Sequence, residues 1–294
     1  MTELLKSFQI PVAYKPASPM SLPRTHISAQ DTASLQYSIC TLVTDEEEYT
    51  QMKQSFEHCG FSEECEYLIA DNTKENRFDA YTAINRFLRQ AKGEYIIIVH
   101  QDVRCIDPRP ALQRILSDLT QQDPQWAACG NAGAMGYHRD VCYINNNGRI
   151  VTYSNLPARV YSLDENFLLV RRSANIVVSS DLKGYHFYAA DLCLLADYLG
   201  YSCYVIPFMV KHLSLGNLAE MKKNKQAFLD AYGYKLRNRF IQTPSTKFIL
   251  HRSSAENRIS NGPLFFFVKW IESIKLLFSR RSHKQLFRKT VREE

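Results

Sequence analysis

Tyr95-Ile96-Ile97-Ile98-Val99 is an unbroken apolar run that ends abruptly in His100-Gln101-Asp102. An extended strand with apolar side chains on both faces must be covered on both, as a central strand is in a sheet flanked by helices. Two further runs precede it, Tyr37–Val43 and Glu66–Ala70. Between the runs lie helix-like stretches. One opens on Asp45-Glu46-Glu47-Glu48, whose carboxylates complement a helix N-terminus, and continues to about Cys59; the other spans Ala80–Gln90. This β-α-β alternation predicts an α/β domain with at least three parallel strands.

Downstream, the pattern predicts a helix near Pro110–Gln121 and strands at Trp126–Gly130, Asn166–Val170 and Ser202–Phe208. It also predicts a helix at Asp191–Leu199 and a helical, charged region from Leu218. The turn Asn145-Asn146-Asn147-Gly148 marks a hairpin in the glycine-containing middle. Four prolines within the first 34 residues argue against a packed element there, so the expected division is an extension (1–34), a catalytic-size α/β domain (35–217) and a helical region (218–294).

Charge and cysteine content limit the partners. The chain carries a net +6, but its cations crowd the end: Lys269, Lys275, Arg280, Arg281, Lys284, Arg288, Lys289 and Arg292. The remaining body is nearly neutral, which disfavours a nucleic-acid partner. The eight cysteines form no CxxC pair and several sit in apolar runs, as expected of free thiols in a reducing compartment. The first residues lack the apolar core of a signal peptide and no stretch is apolar enough to span a bilayer, so the expected location is the cytoplasm. Trp270, Ile271, Ile274, Leu277 and Phe278 fall on one helical face directly before the densest cations. That tail is either an interfacial helix on the inner face of a membrane or a helix packed on the domain.

Candidate chemistry gathers where strands end. In open α/β sheets, ligands bind beyond the carboxyl ends of the strands. Asp71-Asn72-Thr73 and His100-Gln101-Asp102 would emerge on one edge, and Asp102 is placed to hold a divalent metal. His212, just beyond the last strand, would complete that metal site. Simple caps of a turn and a helix are the alternative for Asp102 and Asp71. Gly184-Tyr185-His186-Phe187-Tyr188-Ala189-Ala190-Asp191 leads from a turn through an aromatic cluster into a helix. His186 and Tyr188 belong to that cluster, whose rings are either core or a surface suited to stacking a ligand. Asp191 is either a helix cap or a base whose pKa is raised in an aromatic pocket.

In their order, these pieces resemble the inverting glycosyltransferase family two, with its GT-A fold. The resemblance covers roughly residues 36–216. It rests on Asp71, on Asp79–Arg86 followed by Ala91–Ile96, on His100-Gln101-Asp102-Val103 where that family carries DxD, and on Asp164–Arg172. It also rests on the His186-to-Leu194 stretch and on His212-Leu213-Ser214-Leu215-Gly216. The resemblance implies a mostly parallel three-layer sheet domain and transfer of a sugar from a nucleotide-sugar donor to a saccharide or polyprenyl-linked acceptor. It implies Mn²⁺ or Mg²⁺ on Asp102 and His212, donor contacts from Asp71, Asn72, Asn85 and Gln101, acceptor contacts from His186 and Tyr188, and Asp191 as the base. Two departures stand out. Only the last acid of DxD survives, and the base position reads Ala189-Ala190-Asp191. A nucleotidyltransferase is disfavoured, because Thr41–Glu47 is acidic and lacks glycine. A sugar-nucleotide-binding scaffold without turnover is the non-catalytic alternative.

Overall fold

The computed structural model describes residues 33–136, 139–153, 155–213, 218–243 and 247–262; the N-terminal extension and the basic tail lie outside the described residues. In chain order the elements begin β1 (Leu35–Val43), α1 (Glu46–His58), β2 (Cys65–Asp71), α2 (Ala80–Gln90), β3 (Gly93–Val99), β4 (Val103–Cys105), α3 (Arg109–Gln122) and β5 (Trp126–Gly130). Short strands follow: β6 (Ala132–Ala134), β7 (Asp140–Asn146), β8 (Arg149–Thr152), β9 (Ala158–Val160), β10 (Ser162–Leu163) and β11 (Phe167–Arg171). The chain continues through α4 (Tyr188–Tyr198), β12 (Ser202–Val205), β13 (Val210–His212), α5 (Leu218–Lys235), β14 (Arg239–Gln242), β15 (Lys247–Leu250) and α6 (Ser254–Ser260).

The expected α/β class is present, and the main sheet runs β2-β1-β3-β11-β5-β12-β9. It is mixed rather than mostly parallel. β1 pairs in parallel with β2 and β3, and β5 with β12, but β11 is antiparallel to both β3 and β5. Successive side chains of the central strands alternate between two cores. Ile96, Ile98, Leu168 and Val170 face α2 and α4, whereas Ile97, Val99, Phe167 and Leu169 face α1 and α3. That alternation explains why β3 is apolar at every position from Tyr95 to Val99, and it produces three layers.

The helices follow their local signals. Asp45 Oδ1 accepts from the amides of Glu47 and Glu48, and Asp79 Oδ1 from those of Tyr81 and Thr82. Asn147 and Gly148 take positive φ (47° and 90°) in the predicted β7–β8 turn. The region after residue 218 is not wholly helical, because β14 and β15 form a hairpin between α5 and α6. Its buried Ile249 lies between the exposed Phe248 and Leu250, a period of two rather than a helical one. All eight cysteines are free. No helix among the described residues is long and apolar enough to cross a membrane.

A buried polar network joins the three parallel strands. Ser38 Oγ donates to Glu66 Oε1 (2.6 Å) and accepts from Gly93 N (2.9 Å), while Lys92 N donates to the same carboxylate oxygen (2.6 Å). Gly93 is required by close approach: a Cβ there would lie 2.5 Å from Ser38 N and 2.6 Å from Tyr37 C. Gly93→Ala should therefore force β1 and β3 apart and cost about 1–3 kcal/mol or more of stability. Urea unfolding would register this as a lower midpoint, and an unchanged midpoint would contradict the packing described.

Candidate metal site and cleft

The turn after β3 and the pairing of two short strands assemble one cluster. β13 runs antiparallel to β4 with His212 opposite Val103, and Leu213 N donates to Asp102 O (3.2 Å). His212 is thereby set beside Asp102, with Nε2 3.5 Å from Oδ2. His100 closes the group from the other side, its Nδ1 3.9 Å from Asp102 Oδ1. One ligand atom from each residue lies within 4.8 Å of the others. Ligands about 2.1 Å from a tetrahedral cation are about 3.4 Å apart, so small side-chain adjustments would close the three around one ion.

The hydrogen bonds fit that use. Tyr188 Oη donates to the Glu165 carbonyl (3.1 Å) and lies 2.8 Å from His100 Nε2. Because the carbonyl only accepts, the hydroxyl proton is committed to it, and His100 must donate from Nε2. Nδ1 is then the lone-pair nitrogen, and it faces Asp102. A ligating histidine fixed through its other nitrogen is the usual arrangement around metals. Desolvation also lowers the His100 pKa, only partly offset by Asp102, which favours the neutral ring a cation needs. Two imidazoles and one carboxylate suit Mn²⁺, Fe²⁺ or Zn²⁺ better than Mg²⁺, which prefers oxygen.

Asp102 and His212 also support each other without an ion. Burial works to raise the Asp102 pKa, but the hydrogen bond from His212 and the charge of both imidazoles hold it below its ordinary value. Burial disfavours the His212 cation, yet its bond to Asp102 raises its pKa. The raised histidine contributes stability that is complete below its unfolded pKa and is lost as pH rises through the folded one. The depressed carboxyl contributes above its unfolded pKa and is lost as pH falls through the folded one. Their joint contribution occupies the interval between.

His100 and Asp102 of the cluster line the floor of a cleft of about 440 Å³, with Leu42, Thr44 and Ile98 at the strand ends and Ala83 and Phe87 on α2. His186 and Tyr188 line the same cleft, as does Gln101. Gln101 braces the site: its Oε1 accepts from Thr44 N (2.8 Å) and Asp45 N (3.1 Å), and its Nε2 donates to Thr44 Oγ1 (2.9 Å). Asp71 stands exposed at the end of β2 opposite Val43, where Thr73 bonds hold its pKa below the ordinary range.

Three other expected residues serve the fold. Asn72 accepts from Arg77 N and Phe78 N and donates to Phe78 O, shaping the loop after β2. Asn85 forms a two-way amide bond with Val178, on a face of α2 away from the cleft. Asp191, expected as a base facing the cleft, is 0% exposed. Its oxygens accept from Ser179 N, Ser179 Oγ and Tyr232 Oη, at 2.6, 2.6 and 2.7 Å. The enclosed carboxylate ties α4 to α5 and to the segment before it, leaving no face for a substrate. Ser214 and Gly216 lie outside the described residues.

Of two residues that the sequence reading did not assign, His100 lines this cleft and Glu165 reaches it through His186. His100 adjoins Asp102 directly after an apolar strand, a signal visible in the sequence. Glu165 precedes β11, and the signal for its position, the direction of that strand, is not. Its carboxylate lies 3.5 Å from His186 Nδ1.

Two outcomes follow for chelator-treated protein. Asp102→Asn should move the His212 ring titration to lower pH, as histidine NMR would show; an unmoved titration would mean that the two do not interact. Asp191→Ala should cost about 2–4 kcal/mol in chemical unfolding, because three buried donors lose their acceptor. Unaltered stability would contradict the anchoring role.

No model of a known protein family matches the chain. It is 36% identical over 201 residues to the protein named ATP synthase subunits region ORF 6 of Fuscovulum blasticum, across 64% of this chain and 79% of that protein. Among solved structures, S. aureus TarS 1-349 in complex with UDP-GlcNAc aligns with 67% of this chain and 67% of its own, at 14% identity and a TM-score of 0.43. A197 from STIV aligns with 60% of this chain and 85% of its own, at 10% identity and a TM-score of 0.39. Likenesses this distant leave the chemistry of the cleft to be judged from its own residues. By its identity to the Fuscovulum blasticum protein over most of that protein's length, the chain belongs to the family of ATP synthase subunits region ORF 6.

Proposed function

We propose that the cleft transfers a glycosyl unit from a nucleoside-diphosphate sugar to a hydroxyl of a saccharide or lipid-linked saccharide, with inversion at the anomeric carbon. The observation that carries this reading is the His100–Asp102–His212 cluster at the carboxyl edge of the sheet, opening onto a cleft of sugar-nucleotide size. The ordered resemblance of residues 36–216 to family-two glycosyltransferases gives that geometry its chemical direction.

His100, Asp102 and His212 would hold a divalent cation, with Mn²⁺ favoured by the donor set. When bound there, such a cation supplies a Lewis acid and counter-charge for the diphosphate leaving group. Asp71, ionised and exposed beside the end of β1, is placed to accept hydrogen bonds from the nucleoside. Gln101 holds the β1–α1 loop against the metal turn and so positions the floor of the donor site. His186 and Tyr188 belong to the acceptor side, where Tyr188 acts through His100. The basic, amphipathic sequence after Lys269 supports an acceptor presented at the cytoplasmic face of a membrane.

Thermal-shift titration with nucleoside diphosphates should show stabilisation that requires Mn²⁺, since a ligand bound only by the folded state raises its stability. Asp102→Ala should abolish that dependence and reduce transfer from nucleotide sugars by about 10³-fold or more, with the far-UV spectrum preserved. Near-normal transfer in this variant would remove the cation from the scheme. Nucleotide binding by the wild type without turnover of any sugar donor would make the protein a binding module instead.

A further inference from the structure

A second imidazole–carboxylate pair, separate from the cation cluster, meets the same cleft through its histidine. Glu165 Oε2 lies 3.5 Å from His186 Nδ1, and the two side chains are only 18% and 20% exposed. Glu165 reaches this edge because β11 enters the sheet in reverse, with Phe167 opposite Val99. His186 arrives from the other direction, immediately before α4. Its backbone is held firmly: the Tyr81 hydroxyl donates to the His186 carbonyl (3.1 Å). The next residue, Phe187, adopts φ 68°, a left-handed conformation rare for bulky side chains. Backbone strain of this kind persists where surrounding contacts over-determine it, and such places are often functional. Here the Phe187 ring packs against both His186 and Phe228 of α5.

Glu165 occupies the Nδ1 side of the ring. His186 lines the cleft, so Nε2 is the nitrogen left to meet a substrate. We propose that His186 Nε2 is the general base of the glycosyl transfer, and that Glu165 is the positioning residue that fixes its tautomer and stabilises its charged form. This role rests on the glycosyl-transfer reading above. In the step, the acceptor O–H proton passes to Nε2 while the oxygen's electron pair forms the bond to the anomeric carbon. The bond from that carbon to the diphosphate oxygen breaks, and its electron pair leaves with the diphosphate. The imidazolium then releases its proton to solvent. A histidine with one nitrogen bound to a buried carboxylate and the other facing a hydroxyl is the arrangement that activates nucleophiles on unrelated folds. Asp191, enclosed by its three donors, is not available for this step.

The electrostatics agree with the geometry. The hydrogen bond from Glu165 raises the His186 pKa against the effect of burial, and Glu220 of α5 adds to it. Burial raises the Glu165 pKa and its neighbour Asp164 adds to that, while the His186 bond opposes both. His100 and Asp102 face the pair from the cleft floor.

The test uses the full chain in two measurements. In histidine NMR, His186 should titrate above its ordinary value in the wild type and at lower pH in Glu165→Gln. In transfer assays at saturating donor and Mn²⁺, His186→Gln should lower kcat by about 10²–10⁴-fold. Glu165→Gln should lower kcat with little change in donor KM, and it should move the acidic limb of the rate profile to lower pH. Donor binding by thermal shift should persist in both variants. An unshifted His186 titration in Glu165→Gln, or a His186→Gln variant within a few-fold of wild-type kcat, overturns the proposal. If His186 titrates as expected but the wild type transfers no sugar, the glycosyl-transfer reading fails and takes this catalytic role with it, while the coupling of the pair stands.

Discussion

The pairing of β3 with the reversed strand β11 is the constraint on which the cleft is built. Because Phe167 lies opposite Val99, the segment entering β11 meets the segment leaving β3 at one edge of the sheet. His100 N donates to Asn166 O (3.1 Å), and the neighbouring Glu165 carbonyl receives the Tyr188 hydroxyl that fixes the His100 ring. A parallel strand in this place would carry residues 164–166 to the opposite edge. The metal turn would then lose its backbone partner, and the Glu165 carboxylate would be far from His186. Strand direction is thus a chemical variable here, deciding which side chains share a cleft.

The same constraint explains which parts of the site were legible in the sequence. Asp102 could be read because it follows a strand whose apolar pattern is unmistakable; His212, expected just beyond the last strand, instead ends the short strand β13, whose register with β4 sets it beside Asp102. The run at β11 is just as apolar, but periodicity does not encode direction, so Glu165 looked like a loop acid before a strand. The polar residues tell a complementary story. Asn72 and Gln101 lie just beyond strand ends and Asn85 in the middle of α2, positions where a polar side chain can be read as a ligand contact. Yet short amides also satisfy backbone groups that no ladder reaches, and all three spend their hydrogen bonds that way. Asp191 is the sharpest case. An acid in the first turn of a helix reads as a cap or as a base in an aromatic pocket, but the first turns of this helix are buried, and α5 supplies the Tyr232 hydroxyl that seals the carboxylate.

Two carboxylate–imidazole pairs with different surroundings occupy one cleft, and their environments divide their tasks. Asp102 sits between two imidazoles, which hold its pKa below the ordinary value against the effect of burial. Glu165 meets one imidazole and the like-charged Asp164, so it is more reluctant to ionise and its partner gains the proton affinity. Environments that push titratable groups in opposite directions are a common way for one pocket to separate electrophilic from basic roles.

Charge balance gives a reason for the glutamine between His100 and Asp102. A divalent cation held by two carboxylates is neutralised by its own ligands, whereas one held by a single carboxylate and two neutral imidazoles keeps about one unit of positive charge. That residual charge is directed at whatever anion enters the cleft, and a diphosphate carries enough negative charge to use it. An acid at position 101 would place another negative charge beside Asp102 and weaken this attraction. It would also lose the amide's donated bond to Thr44 Oγ1, which helps hold the β1–α1 loop against the metal turn. Gln101 therefore preserves the brace, and in the proposed metal site it would preserve that charge as well, with the histidines as the remaining ligands.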